Sequence, residues 1–150
     1  HTQLILILLK VKQKSMKGIS LIIRRWQLKF SRIKLSAKSQ NQLGRLKART
    51  GLTPNLLARF ALCLSLKEKS APIISQYDNE GNDIEPAILF GEYESLYLGL
   101  MKNRLNKDGL SDSKLNEMTR CHINRGVTAL APRIQNLGDF YELIKEERNV

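Results

Sequence analysis

From Phe30 to Lys69 the chain carries local signals in an order that leaves few folds open. In FSRIKLS, Ile33 and Leu35 point one way and Arg32 and Lys34 the other, which is the period-two pattern of a short strand. Ser36 stands where the N-cap of a following helix belongs. AKSQNQLGRLKARTG then places Leu43, Leu46 and Ala48 along a helical stripe, and Gly51 supplies the stop. Gly44 inside this helix costs roughly 1 kcal/mol against Ala. Thr53 caps a second helix, with Pro54 at its first position. In NLLARFALCLSLKEK the residues Leu56, Leu57, Phe60, Ala61, Cys63 and Leu64 cover more than one stripe. A helix apolar nearly all round is buried on several sides. In a chain of 150 residues that points to packing against a second subunit.

A lone strand leaves backbone groups unpaired. Its simplest partner is the same strand of another subunit, giving an antiparallel ribbon with the second helix packed across the dimer. This is the logic of the ribbon-helix-helix fold, whose ribbon enters the DNA major groove. Arg32 and Lys34 would lie on its outward face. The fold expected is mainly α: a ribbon-helix-helix-like N-terminal unit of one short strand and two helices, extended by further C-terminal helices.

The charge is large and unevenly placed. The net charge is +11, yet residues 1–70 carry 16 basic residues and a single acid, Glu68. The remaining residues hold 9 basic and 13 acidic side chains. A local cationic surface of this kind fits a polyanion, with nucleic acid foremost. Lys38, Arg45, Lys47 and Arg49 crowd the first helix, and Arg32 and Lys34 precede it. The first turn of the second helix presents unpaired N–H groups at the positive dipole end, a phosphate site to which Thr53 and Asn55 can add donors. Arg32 and Lys34 suit base edges or phosphates equally. The excess of Lys and Arg around them favours sequence-independent attraction to the backbone over operator reading.

Downstream, SAPIISQYDNEGNDIEPAILF is acidic and holds Pro and Gly signals, so a loop or loose hairpin is expected, with Ile73–Tyr77 and Ile84–Phe90 flanking the turn. Asp78, Glu80, Asp83 and Glu85 have no basic neighbour in sequence. A third helix is expected over Gly91–Gly109, with Tyr93, Leu96, Tyr97, Leu100 and Met101 on its apolar side. Ser111 caps a fourth, in which Leu115, Met118, His122, Ile123 and Val127 share a face. Gly138 and Asp139 begin a short tail helix. The domain boundaries expected are a basic, apolar extension over 1–29, a DNA-binding domain over 30–132 and a tail over 133–150. Met16 is a candidate natural start, which would make residues 1–15 foreign. Leu4–Leu9 is too short to span a bilayer, and no membrane role is expected.

No catalytic set emerges. GxGxxG, a Walker A loop and CxxC pairs are missing, and His122 is the only histidine besides His1. A lone His on an apolar helical face is expected to be packed and hydrogen-bonded. Cys63 and Cys121 lack metal-ligand spacing and fit buried thiols in a reducing cytoplasm. No metal, no cofactor and no enzymatic activity are expected.

The blocks RIKLSAKSQNQLGRLKARTGLTPNLLARFALCLSL, FGEYESLYLGLMKNR, KDGL and HINRGVTALA occur in this order between Ser31 and Ala131. Together they resemble the DndE family of the bacterial DNA phosphorothioation, or sulfur-modification, system. The resemblance implies a small, mostly helical, non-catalytic protein that forms a homotetramer and binds DNA with a preference for nicked duplex. It implies work alongside the other sulfur-modification proteins, to which the chemistry in that system is attributed. The family's DNA-binding lysines are basic surface residues, so the basic positions inside the matching block are carried over: Lys34, Lys38, Arg45, Lys47 and Arg49. The first thirty residues, the tail and the acidic Gln76–Glu85 stretch lie outside the resemblance or vary beside it. Two other readings remain open at this point. One is a ribbon-helix-helix repressor. The other is an assembly subunit whose acidic segment Asp78–Glu94, with the third and fourth helices, docks onto a modification partner.

Overall fold

The helix boundaries of the N-terminal unit follow from side chains able to satisfy them. The computed structural model describes residues 28–148. Ser36 has extended backbone, and its hydroxyl accepts from the Ser39 N–H at 3.1 Å, opening α1 (Ala37–Thr50). Gly51 closes α1 at φ 75°, where its N–H donates to Lys47 O at 2.8 Å. That left-handed backbone costs glycine nothing. Thr53 accepts from the Leu56 N–H at 3.3 Å and Pro54 begins α2 (Pro54–Leu66).

The strand forms as β1 (Ile33–Lys34), but its partner is not a second subunit. It pairs antiparallel with β2 (Asp83–Ile84) of its own chain, Ile33 opposite Ile84 and Lys34 opposite Asp83. Leu35 extends the pairing, donating to Asn82 O at 3.2 Å and accepting from Gly81 N at 2.9 Å. The polar groups facing away from β2 are taken by one face of α5 (Leu115–Leu130). Asn116 Oδ1 accepts from Ser31 N at 2.8 Å, Arg120 Nε donates to Lys34 O at 2.9 Å, and Asn124 Oδ1 accepts from Ser36 N at 3.1 Å. These helix residues are spaced four apart and so lie on one stripe. With β2 paired on one side of β1 and α5 bonded along the other, the strand is engaged inside its own chain, and the cross-subunit ribbon is corrected. The mainly α fold with a strand-helix-helix unit stands.

Of the loop or loose hairpin expected over 70–90, the hairpin does not form: Ile73–Tyr77 and Ile84–Phe90 do not pair with each other. Ile74–Gln76 makes a 3-10 turn, β2 follows, and Pro86 at the first position opens the short helix α3 (Pro86–Phe90). Proline is pre-organised there and lacks the N–H that would go unpaired. The third expected helix starts later, as α4 (Glu94–Lys107) after a 3-10 turn at Gly91–Tyr93. Leu100 and Met101 are buried as expected, but Leu98 and Leu105 join them and Tyr93 is exposed. Tyr97 stacks on Phe90 with centroids 4.8 Å apart.

Helix α5 forms the centre of the core and packs on α2. A Cβ built at Gly126 would lie 1.8 Å from Ala61 O, so the two backbones meet without room for a side chain. The expected face of α5 is buried throughout: Leu115, Met118, His122, Ile123 and Val127. Arg104 of α4 completes the end of α2, donating to Leu66 O at 2.9 Å, Glu68 O at 2.7 Å and Ser70 O at 2.8 Å. A cation there satisfies orphan carbonyls and meets the negative dipole end. The tail forms α6 (Leu137–Arg148), whose Phe140 packs on Phe60 of α2 at 4.9 Å between ring centroids. This contact covers part of the α2 surface.

Candidate nucleic-acid interface

The buried face of α1 consists of Ser39, Leu43, Leu46 and Thr50. At about 100° per residue, Lys38, Arg45 and Arg49 then fall within about 40° of one another, on one exposed stripe beside that face. All three are exposed. Lys47, also exposed, lies about half a turn from Lys38 on the far flank of the helix. The structure therefore joins three of the four basic residues of α1 and sets the fourth apart. Arg49 Nη1 also reaches Ile134 O at 3.4 Å, which holds its guanidinium near the C-terminal end of α1. Among the described residues, no acidic side chain comes within ion-pair distance of Lys34, Lys38, Arg45, Lys47 or Arg49.

The strand charges have a different setting. Arg32 Nη2 lies 2.6 Å from Glu85 Oε1, with both side chains more than half exposed. Lys34 stands directly opposite Asp83 in the register. Two carboxylates, on β2 and its flank, thus face the cations Arg32 and Lys34 of β1 and its flank, and the outward side of this small sheet is close to neutral. Neither acid adjoins the basic segment in sequence; the register of β2 brings them there. Thr53 and Asn55 stand at the start of α2, where the Thr53 hydroxyl already accepts the Leu56 N–H. Asn55 is half-buried.

The groups able to carry chemistry are packed away. His122 is fully buried, and Ser65 Oγ lies 2.8 Å from its Nδ1. Burial, with Arg104 and Arg125 nearby, pushes its pKa down to about 3, so the ring is neutral near pH 7. Arg125 joins this cluster, its Nε donating to Ser65 Oγ at 2.8 Å and its Nη2 to Ser65 O at 2.9 Å. Both cysteines are free; Cys121 is buried and Cys63 half-buried. Burial raises both thiols, Cys121 to about 11, which keeps them protonated and unreactive. Among the described residues, no group of three or more His, Cys, Asp or Glu is placed to hold a metal. Nor is any described helix long and apolar enough to cross a membrane.

Known structures share this fold. A structure titled for DndE of Escherichia coli B7A, involved in DNA phosphorothioation modification, superposes with a TM-score of 0.59 at 24% identity. That match covers 69% of this chain and 97% of the other. A DndE mutant with two glycines changed to lysine, likewise involved in phosphorothioation, matches with a TM-score of 0.56 at 23% identity, over 68% of this chain and 98% of that one. A search of curated proteins gave no match. The family model for DNA sulphur modification protein DndE matches residues 32–136, from the strand through the turn before α6. That match spans well over half of the chain, and the chain belongs to the DndE family.

Proposed function

We propose that this protein is a non-catalytic DNA-binding subunit of the phosphorothioate modification system, working beside the other sulfur-modification proteins. The observation that carries the reading is the stripe Lys38–Arg45–Arg49 on α1, exposed and without an acidic partner among the described residues. Such a stripe neutralises successive phosphates and makes binding strongly salt-dependent. Lys34, Lys47, Thr53 and Asn55 would add contacts at its margins, and Arg32 contributes less because Glu85 holds it. In a homotetramer the stripes of several copies form a wider cationic surface onto which a duplex must bend. A nick relieves the stiffness of one strand and lowers that elastic cost, so nicked duplex is the favoured ligand.

Family membership supports the biological setting, and the neutral, buried His122 and protonated thiols support a role outside the chemistry. A ribbon-type repressor would need β1 free to pair across a two-fold axis, and its edges are engaged within the chain. The test is a titration of nicked and intact duplexes of one sequence at matched salt. Tighter binding of the nicked duplex is expected. Equal affinities would remove the nick preference, and no salt-sensitive binding of either would remove the DNA reading.

A further inference from the structure

The segment between α2 and β2 is tied down by arginines at both ends, and its tip is bare. Ahead of the tip, Arg104 donates to Glu68 O at 2.7 Å and Ser70 O at 2.8 Å, and Arg125 donates to Ser65 O and Ser70 O at 2.9 Å each. Behind it, Arg120 donates to Tyr77 O at 3.3 Å and to Asp78 O, and Asp78 Oδ1 accepts from Ala37 N at 3.0 Å. Arg104 and Arg120 are buried. Between these anchors lie residues 71–76, APIISQ, of which Pro72 alone is buried and the other five are exposed. The 3-10 turn is closed by Gln76 N donating to Ile73 O at 3.1 Å. It leaves Ile73 57% and Ile74 37% exposed, side by side in the sequence.

Fixing a backbone costs about 1–2 kcal/mol per residue in entropy. Here three arginines offset that cost on both sides of a turn that shows two isoleucines to solvent. Loops held by a rigid scaffold are where binding functions concentrate, and a pre-ordered loop binds without losing that entropy again. The chemistry of the tip narrows the partner. Residues 70–77, SAPIISQY, carry no charge, so nothing in them attracts a phosphate backbone or an anionic headgroup. Five exposed residues fall far short of the roughly 20–30 a side of a stable interface, so tip-to-tip packing does not hold two copies together. Adjacent apolar side chains on an ordered turn suit an anchor that fills a pocket within a larger surface. We propose that the Ile73–Ile74 turn is the anchor by which this chain docks onto another protein of the sulfur-modification system, filling an uncharged, apolar cleft there. The inference rests on the chain's place in that system and not on its contact with DNA.

The test is co-purification of the full chain with the co-expressed sulfur-modification proteins. Wild type is compared with Ile73→Asp plus Ile74→Asp, and with Ile88→Asp at an exposed apolar position elsewhere. The double variant is expected to retain about tenfold less of one of these proteins, as for loss of an interface anchor. Ile88→Asp should match wild type, and Ile73→Ser with Ile74→Ser should fall between. Far-UV circular dichroism and nicked-duplex affinity should be the same for all. The proposal is overturned if wild type retains none of these proteins, if the double variant retains as much as wild type, or if Ile88→Asp loses as much. A lower sedimentation mass of the double variant alone would put a second copy on the tip. Loss of its flotation with phosphatidylethanolamine–phosphatidylglycerol vesicles would put a membrane there. Either result overturns the proposal. Absence of duplex binding in every protein, with the retention difference intact, would remove the DNA reading and support this one.

Discussion

The guanidinium of Arg120 donates through Nε to Lys34 O at 2.9 Å, across a sequence separation of 86 residues. The same side chain reaches Tyr77 O at 3.3 Å and also bonds Asp78 O. One buried cation thus ties the strand, the 73–80 segment and the central helix α5 together. Arg120→Met should leave several carbonyls without a donor. Hydrogen bonds to charged groups contribute about 1.5–3 kcal/mol each, so a loss of about 3 kcal/mol is expected in chemical denaturation. Arg120→Lys should recover only part of this, because a single ammonium cannot reproduce the fork.

Two glycines should respond in opposite directions to alanine. Gly126 has Ala61 O where its Cβ would lie, so Gly126→Ala must push α2 and α5 apart. A cost of about 1–3 kcal/mol or more is expected for such overpacking. Gly44 has nothing within 4 Å of the same position and sits inside α1. Gly44→Ala should stabilise by about 0.5–1 kcal/mol through helix propensity. Thermal melts of the two variants check both signs, and a neutral Gly126→Ala would contradict the close crossing.

His122 makes stability depend on pH. Its folded pKa, about 3, lies below the ordinary histidine value of 6.5. Between these values the unfolded state binds more protons than the folded one. The contribution is therefore fully present above about pH 6.5 and declines as pH falls toward 3, with a limiting slope of about 1.4 kcal/mol per pH unit. His122→Gln removes the titrating group. The difference in unfolding free energy between wild type and His122→Gln should change with pH across this window and be flat above it. A flat difference throughout would show that the ring is accessible to protons.

Local features were legible in the sequence and long-range ones were not. Ser36, Gly51, Thr53 and Pro54 act on backbone groups within a few residues, so their roles follow from position alone. The partner of β1 was hidden because β2 is two residues long and sits among turn-forming and acidic residues with no alternating pattern. Asn116, Arg120 and Asn124 did leave a trace: polar residues at every fourth position of one helix, a stripe beside the apolar Leu115, Met118, Ile123 and Val127. The face of α4 was misjudged at Tyr93, and Leu98 and Leu105 were missed, because Arg104 on the buried side blurs the apolar pattern. In the candidate interface, the grouping of Lys38 with Arg45 and Arg49, apart from Lys47, follows from helical spacing. The pairing of Arg32 with Glu85 depends on a register that only the folded chain reveals.

The central claim is that the Lys38–Arg45–Arg49 stripe of α1 meets the phosphate backbone, and the salt dependence of duplex binding tests it most directly. Binding constants for a nicked duplex, measured over a series of salt concentrations, would be compared for wild type, Lys38→Ala with Arg45→Ala, and Lys47→Ala. The account predicts that the double variant binds more weakly and that its log–log salt slope is shallower by about 1 for each phosphate it no longer neutralises, with Lys47→Ala much closer to wild type. An unchanged affinity and slope in the double variant, with its fold intact, would contradict it.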